Sequence, residues 1–184
     1  MRDLNLMCAI TVIFMDKNQA RKMAYSHYKE MDELTYLERM KEILESITSF
    51  EPFIQAKKVG IYYPIKKEIN LLSLMHLYPK KTFYFPRLEG KTLSFRQISD
   101  IENLEGSKFG TRQPKKDAVI EKEIDVYFVP CVLTSGLYRI GHGKGYYDYY
   151  FKEHQGLKVG IVHKALKNKD VKVNEFDIPM DIIL

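Results

Sequence analysis

The sequence predicts an α/β protein, a three-layer α/β/α sandwich built on a mainly parallel sheet. Three observations predict it. Four short runs rich in β-branched and aromatic residues recur along the chain, at residues 58–63 (KVGIYY), 82–85 (TFYF), 125–129 (DVYFV) and 157–162 (LKVGIV). Helical patterns lie between several of them, which is the alternation of βαβ units. A glycine-alternating loop follows the third run and leads into a further helical segment.

Residues 4–15 (LNLMCAITVIFM) are apolar, preceded only by Arg2 and offset by Asp3. The run is too short to span a bilayer, and no small-residue cleavage site precedes the polar MDKNQARKM, so a secretory leader is not expected. Residues 1–14 are read as an extension ahead of a functional start at Met15, or as an added strand. Residues 15–184 are expected to form one domain, since no linker, repeat or low-complexity tract interrupts them.

From residue 17 to 50 the pattern is helical. After a charged first helix, Leu34, Leu37, Met40, Leu44 and Ile47 recur at intervals of three and four, a stripe that needs a surface to pack on. The strand at 58–63 and a helix at 68–77 (EINLLSLMHL) form the first βα unit, completed by the strand at 82–85. Residues 91–98 (KTLSFRQI) alternate polar and apolar after a turn at 88–90, as a half-exposed hairpin arm does. Residues 100–122 carry little periodicity and are expected to form a long functional loop. A helix over 146–153 joins the last two strands.

The chain of 184 residues is 45% apolar, enough to bury one substantial core. Its 29 basic and 24 acidic residues leave a net charge of +5 spread along the chain, which suits anionic ligands without marking one surface. Cys8 and Cys131 stand far apart without CxxC or Cys/His spacing, so neither a disulfide framework nor a zinc site is indicated, and a reducing, cytoplasmic setting is expected.

The chemistry concentrates at residues 139–148, RIGHGKGYYD. Gly141, Gly143 and Gly145 permit positive φ and close approach of a ligand to the backbone. Successive amides in such a loop form an anion-binding nest, and the helix start that follows adds free N–H groups. Arg139 and Lys144 contribute full positive charge. Asp148 sits where a carboxylate stabilises the helix start or holds Mg²⁺ beside a polyphosphate. The spacing is neither that of a Walker loop nor that of a dinucleotide fingerprint, and the glycines alone are equally compatible with a surface turn.

With its flanking arginine and YYD triplet, the string resembles the RxGxGxGYYD signature of the 5-formyltetrahydrofolate cyclo-ligase (methenyltetrahydrofolate synthetase) family. The likeness runs in order from Lys17 and Arg21 (KxxxR) through IYYPIKKEI at 61–69, Phe85-Pro86, FGxxQP at 109–114 and Val129-Pro130 to NEFDIPMD at 174–181. It implies a Rossmann-like sheet related to those of sugar-phosphate isomerases and acyl-CoA transferases. It also implies an ATP-dependent, magnesium-requiring ligase that converts 5-formyltetrahydrofolate, with or without a polyglutamate tail, to 5,10-methenyltetrahydrofolate, ADP and phosphate through a phosphorylated formyl intermediate. Neither nucleic acid nor membrane is an expected partner.

Carried over by position, Lys17, Arg21, Arg139, Ile140, Gly141, His142, Gly143, Lys144, Gly145, Tyr146 and Tyr147 resemble the ATP-binding set. Tyr63, Glu68, His142 and Tyr146 resemble the folate side, and Asp148 and Asp177 resemble magnesium-associated carboxylates. Taken by themselves, Lys17 and Arg21 read equally as a solvated helix face, Glu68 as a partner of a helix dipole, and Tyr63, Tyr146 and Tyr147 as core rings. Departures from the family pattern fall at His142, where the family accepts several residues including Arg, and at Tyr149, where Arg often follows YYD. Cys131 and residues 161–173 also depart. A relative acting on another folate or a thiamine-like ligand is the nearest alternative. From a different class, a nucleic-acid-binding module would use the basic balance with the 13 Tyr and 10 Phe.

Overall fold

The β-rich runs meet in one sheet because none of them can bury both faces alone. The computed structural model describes residues 14–107 and 110–184. The reading of residues 1–14 therefore lies outside the described residues, apart from Phe14, which is exposed.

Two long helices open the fold, α1 (Lys17–Glu30) and α2 (Glu33–Thr48), followed by the short α3 (Glu51–Gln55). Then come β1 (Lys58–Gly60), α4 (Ser73–Leu77), β2 (Thr82–Glu89) and β3 (Thr92–Ile98). Three two-residue strands follow, β4 (Glu105–Gly106), β5 (Arg112–Gln113) and β6 (Ile120–Glu121). The chain closes with β7 (Val126–Pro130), β8 (Leu133–Ser135), β9 (Tyr138–Ile140), α5 (Tyr146–Tyr150), β10 (Leu157–Ile161) and β11 (Ile182–Ile183).

The main sheet has seven strands in the order β11-β10-β7-β1-β2-β3-β6. The pairs from β11 through β2 are parallel, and β3 and β6 add an antiparallel edge. The expected mainly parallel α/β fold is what forms.

Alternation along the strands sorts the core. Phe83, Phe85, Val126 and Phe128 pack with Ile43 and Ile47 of α2, Phe53 of α3 and Leu74 of α4 on one face. Tyr84, Tyr127 and Val129 point to the other face, where Phe95, Tyr150 and Phe151 cover them. Each fully buried phenylalanine in this arrangement contributes roughly 1.5–3 kcal/mol of transfer free energy.

Several expected elements are corrected. The buried side of α2 carries Tyr36, Met40, Ile43, Leu44 and Ile47, whereas Leu34 and Leu37 are 68% and 44% exposed. Spacing gives a helix its period but not its phase when apolar residues flank both sides of the stripe. The helix expected at 68–77 is reduced to Ser73–Leu77, because residues 61–72 leave the strand and turn across its carboxyl end. The loop expected at 100–122 contains β4, β5 and β6, short edge pairings too brief to show periodicity. Residues 133–140 form an unforeseen hairpin of β8 and β9. Its two-residue turn places Gly136 at φ 55°, a recognisable hairpin signal.

Gly60 sits at the centre of the sheet. A Cβ there would lie 2.8 Å from Tyr127 Cδ1 and 3.0 Å from Phe95 Cε1. Gly60→Ala should therefore lower stability by about 1–3 kcal/mol through overpacking, read as a lower urea midpoint with an unchanged slope.

Candidate active site

Parallel strands send their following segments to one edge, so the stretch after β1, the end of β2 and the loop after β9 converge beyond the carboxyl ends of the sheet. There they enclose a cavity of about 680 Å³, within the usual range of a ligand pocket. Every residue expected at the site from sequence lines it, from Lys17 and Arg21 on α1 and Tyr63 and Glu68 after β1 to the 139–148 segment and Asp177.

Helix α1 starts where it does because of a capping box. Asp16 accepts from Asn18 N at 2.7 Å and Gln19 N at 2.9 Å, and Gln19 Oε1 accepts from Asp16 N at 3.1 Å. Ala20, Ala24 and Tyr28 then bury one side of α1 against Leu133 and Ile140 of the hairpin. The adjoining side presents Lys17, Arg21 and Tyr25 at intervals of four to the site. Lys17 Nζ pairs with both Asp177 oxygens, at 2.5 and 2.6 Å. Arg21 Nε donates to the Gly141 carbonyl at 2.7 Å, and Tyr25 Oη lies 2.8 Å from His142 Nδ1.

The glycines of the loop do different things. Gly143 and Gly145 have φ of 97° and 67°, conformations that disfavour side chains. Arg21 also packs against Gly143, its guanidinium carbon 3.2 Å from where a Cβ would stand. Gly141 does not take positive φ; a Cβ on it would collide with the Arg139 guanidinium. Gly145 caps α5, whose five residues make a shorter helix than the expected 146–153.

Arg139 is buried, stacked 4.8 Å over the Tyr147 ring, and pairs with Asp148 at 3.2 Å. Its Nε has no partner among the described residues. Lys144 is exposed at the cavity, with no hydrogen bond or ion pair to other described residues. Tyr147 packs with Phe95 and Phe151 and lines the cavity, and burial pushes its phenol well above the ordinary value. Tyr146 donates to the Gly90 carbonyl at 3.2 Å.

Glu68 is buried and is not a helix-start residue as expected; it sits in the turn after β1. Its Oε2 accepts from Ile65 N at 3.0 Å and its Oε1 lies 2.9 Å from His142 Nε2. The turn places Lys66 at φ 54°, with its ammonium 4.2 Å from the Tyr25 ring centre. Tyr63 lies half-buried at the cavity with the Arg112 guanidinium 5.8 Å from its ring. Sequence reading missed Tyr25, although a four-residue step from Lys17 and Arg21 marks it. It also missed Lys66 and Arg112, which carry no local signal.

Asp148 and Asp177 both present carboxylates to the cavity, where they could hold a cation. Among the described residues no cluster of three or more His, Cys, Asp or Glu side chains exists. Asp148 is held loosely, by Arg139 at 3.2 Å and Ile178 N at 3.4 Å, and keeps free lone pairs. Asp177 is more fully engaged, by Lys17 and by Asn174 N at 2.7 Å.

With this geometry in place, comparison with known proteins is decisive. The model of the 5-formyltetrahydrofolate cyclo-ligase family matches residues 14–184. The chain belongs to that family. The Mycoplasma genitalium 5-formyltetrahydrofolate cyclo-ligase is 27% identical over 176 residues, spanning 92% of this chain and 98% of that protein. A probable 5-formyltetrahydrofolate cyclo-ligase of Schizosaccharomyces pombe is 25% identical over 193 residues, spanning 92% and 95%. The NMR structure of Aquifex aeolicus 5,10-methenyltetrahydrofolate synthetase is 28% identical, with a TM-score of 0.81 over 92% of this chain and 89% of that one. Among the described residues no helix is long and apolar enough to cross a membrane.

Beneath the Glu68 turn, His163 is buried with its Nε2 donating to the Lys67 carbonyl at 2.6 Å and its ring edge-on to Tyr28 at 5.6 Å. Burial lowers its pKa, so below the ordinary histidine value of about 6.5 the unfolded chain binds more protons than the fold. Its stabilising share is present above that pH and is lost as the pH falls towards the depressed value. Melting temperature should drop between pH 7 and pH 5 more steeply for the wild-type chain than for His163→Gln.

Proposed function

We propose that the protein is a 5-formyltetrahydrofolate cyclo-ligase, closing 5-formyltetrahydrofolate to 5,10-methenyltetrahydrofolate at the expense of ATP, in the cytoplasm and with residues 15–184 as the working unit. One observation carries the reading: Lys17, Arg21, Arg139 and Lys144 converge on one cavity around the glycine loop. Four cations lining one cleft favour a polyanionic ligand.

In this reading the triphosphate lies on the 141–145 loop. Arg139 and Lys144 bind its oxygens, and Lys17 joins them by leaving Asp177. Glu68 and Tyr63 hold the reduced folate beside it. The formyl oxygen attacks the γ-phosphorus and the bond to ADP breaks; the neighbouring nitrogen then attacks the formyl carbon, loses its proton, and the carbon–oxygen bond to phosphate breaks. The protein's contribution is alignment and charge stabilisation, as in other phosphoryl transfers. A magnesium ion held by Asp148 and Asp177 would neutralise phosphate charge.

The cations and carboxylates are already mutually neutralised, Lys17 with Asp177 and Arg139 with Asp148. Binding the metal complex of the nucleotide exchanges these partners without leaving any of the four uncompensated.

Purified protein given 5-formyltetrahydrofolate and MgATP should develop the near-ultraviolet absorbance of the methenyl product; a folded protein that develops none would reject the proposal. Lys144→Ala should raise the KM for ATP by about tenfold or more, the loss of a charge-assisted contact, with melting temperature unchanged. Asp148→Asn should raise the magnesium concentration needed for half-maximal rate. A lowered melting temperature with an unchanged magnesium requirement would instead assign Asp148 only to the Arg139 pair.

A further inference from the structure

The side chains of Tyr25, His142 and Glu68 form a continuous chain of contacts, Tyr25 Oη to His142 Nδ1 at 2.8 Å and His142 Nε2 to Glu68 Oε1 at 2.9 Å. The three come from separate parts of the sequence: α1, the glycine loop and the turn after β1. Glu68 Oε2 is occupied by Ile65 N–H at 3.0 Å, so the protein grips the carboxylate on both oxygens. A carboxylate accepts and does not donate, and therefore the proton between the imidazole and Glu68 belongs to Nε2. In the neutral ring Nδ1 is then an acceptor, and the phenol must donate to it. Burial raises the Tyr25 pKa, which keeps that phenol protonated.

We propose that Tyr25 is a positioning residue: by donating to Nδ1 it fixes His142 in the tautomer that donates Nε2–H to Glu68, and so orients the carboxylate towards the cavity. Resting on the cyclo-ligase reading, the inference extends to the ligand. Each Glu68 oxygen keeps a lone pair after its protein contact, and two acceptors held in a fixed plane suit the adjacent ring N–H and amino donors of a pterin-type heterocycle. Acceptors locked before binding lose less rotational freedom on complex formation. The ring of Tyr25 has a separate reason to be where it is: it carries the Lys66 ammonium 4.2 Å from its centre. Tyr25→Phe keeps that contact and removes only the donating hydroxyl.

The test uses the full chain labelled with ¹⁵N, in which long-range ¹H–¹⁵N correlations report the protonation of each imidazole nitrogen. His142 is identified among the five histidines by the signals lost in His142→Gln. The wild-type chain should show His142 as a single tautomer protonated at Nε2, and Tyr25→Phe should show a mixture. In kinetics, Tyr25→Phe should raise the KM for 5-formyltetrahydrofolate by about two- to tenfold, the range expected for one neutral hydrogen bond. The KM for ATP should stay unchanged. In a His142→Ala background the same substitution should have no further effect. A ring protonated at Nδ1 or at both nitrogens near neutral pH would overturn the proposal. So would an undiminished Tyr25→Phe effect in the His142→Ala background, which would reduce Tyr25 to ring packing. If the wild-type chain fails to convert 5-formyltetrahydrofolate, the reading of function fails, while the nitrogen spectrum still decides the tautomer.

Discussion

The site depends on the close approach of α1 to the glycine loop, secured by the hydrogen bond from Arg21 Nε to the Gly141 carbonyl. That approach requires Gly143 to lack a side chain, since the Arg21 guanidinium occupies the adjoining space. It also requires the small Ala20 and Ala24, which let the helix lie against the β8–β9 hairpin. Once the helix is seated, its four-residue period hands Lys17 to Asp177, Arg21 to the loop backbone and Tyr25 to His142. Two segments remote in sequence, the glycine loop and the Asp177 turn, are thereby held by one rigid element, a more exact support than a loop provides for itself.

The sheet supplies the second constraint. Four consecutive parallel pairings oblige the connections to return across its faces and leave the carboxyl ends of the strands free for the site. The covering layers are unequal: α2, α3 and α4 form an aliphatic and phenylalanine layer, while the opposite face is closed by rings packed edge-on around Tyr127. Arg139 bridges that aromatic layer to the cavity by lying on Tyr147. The loop's charge is therefore anchored in the core and not suspended in solvent.

Electrostatically the site is poised and not simply positive. Two of its cations are paired with its two candidate metal carboxylates, Glu68 is engaged by a neutral donor and a histidine, and Lys144 stands without a hydrogen bond or ion pair among the described residues. Burying such charges unpaired would be costly, and the pairing preserves them without prejudice to a ligand that brings both metal and phosphate.

The sequence by itself determined what is local. The β-rich runs, the glycine loop with its arginine, and the first helix are written in composition and period, because backbone propensity and amphipathicity act over a few residues. Tertiary structure decided the phase of α2, where Ile43 rather than Leu34 is buried, and the turn that buries Glu68 instead of starting a helix with it. It also decided the short edge strands, whose stability comes from a partner and not from their own residues. Most of all it decided the partners: Lys17 with Asp177 and Tyr25 with His142 are separated by 160 and 117 positions. Hydrogen bonds and ion pairs act only over ångströms, so nothing in the order of residues records them until the sheet and α1 have brought those side chains together.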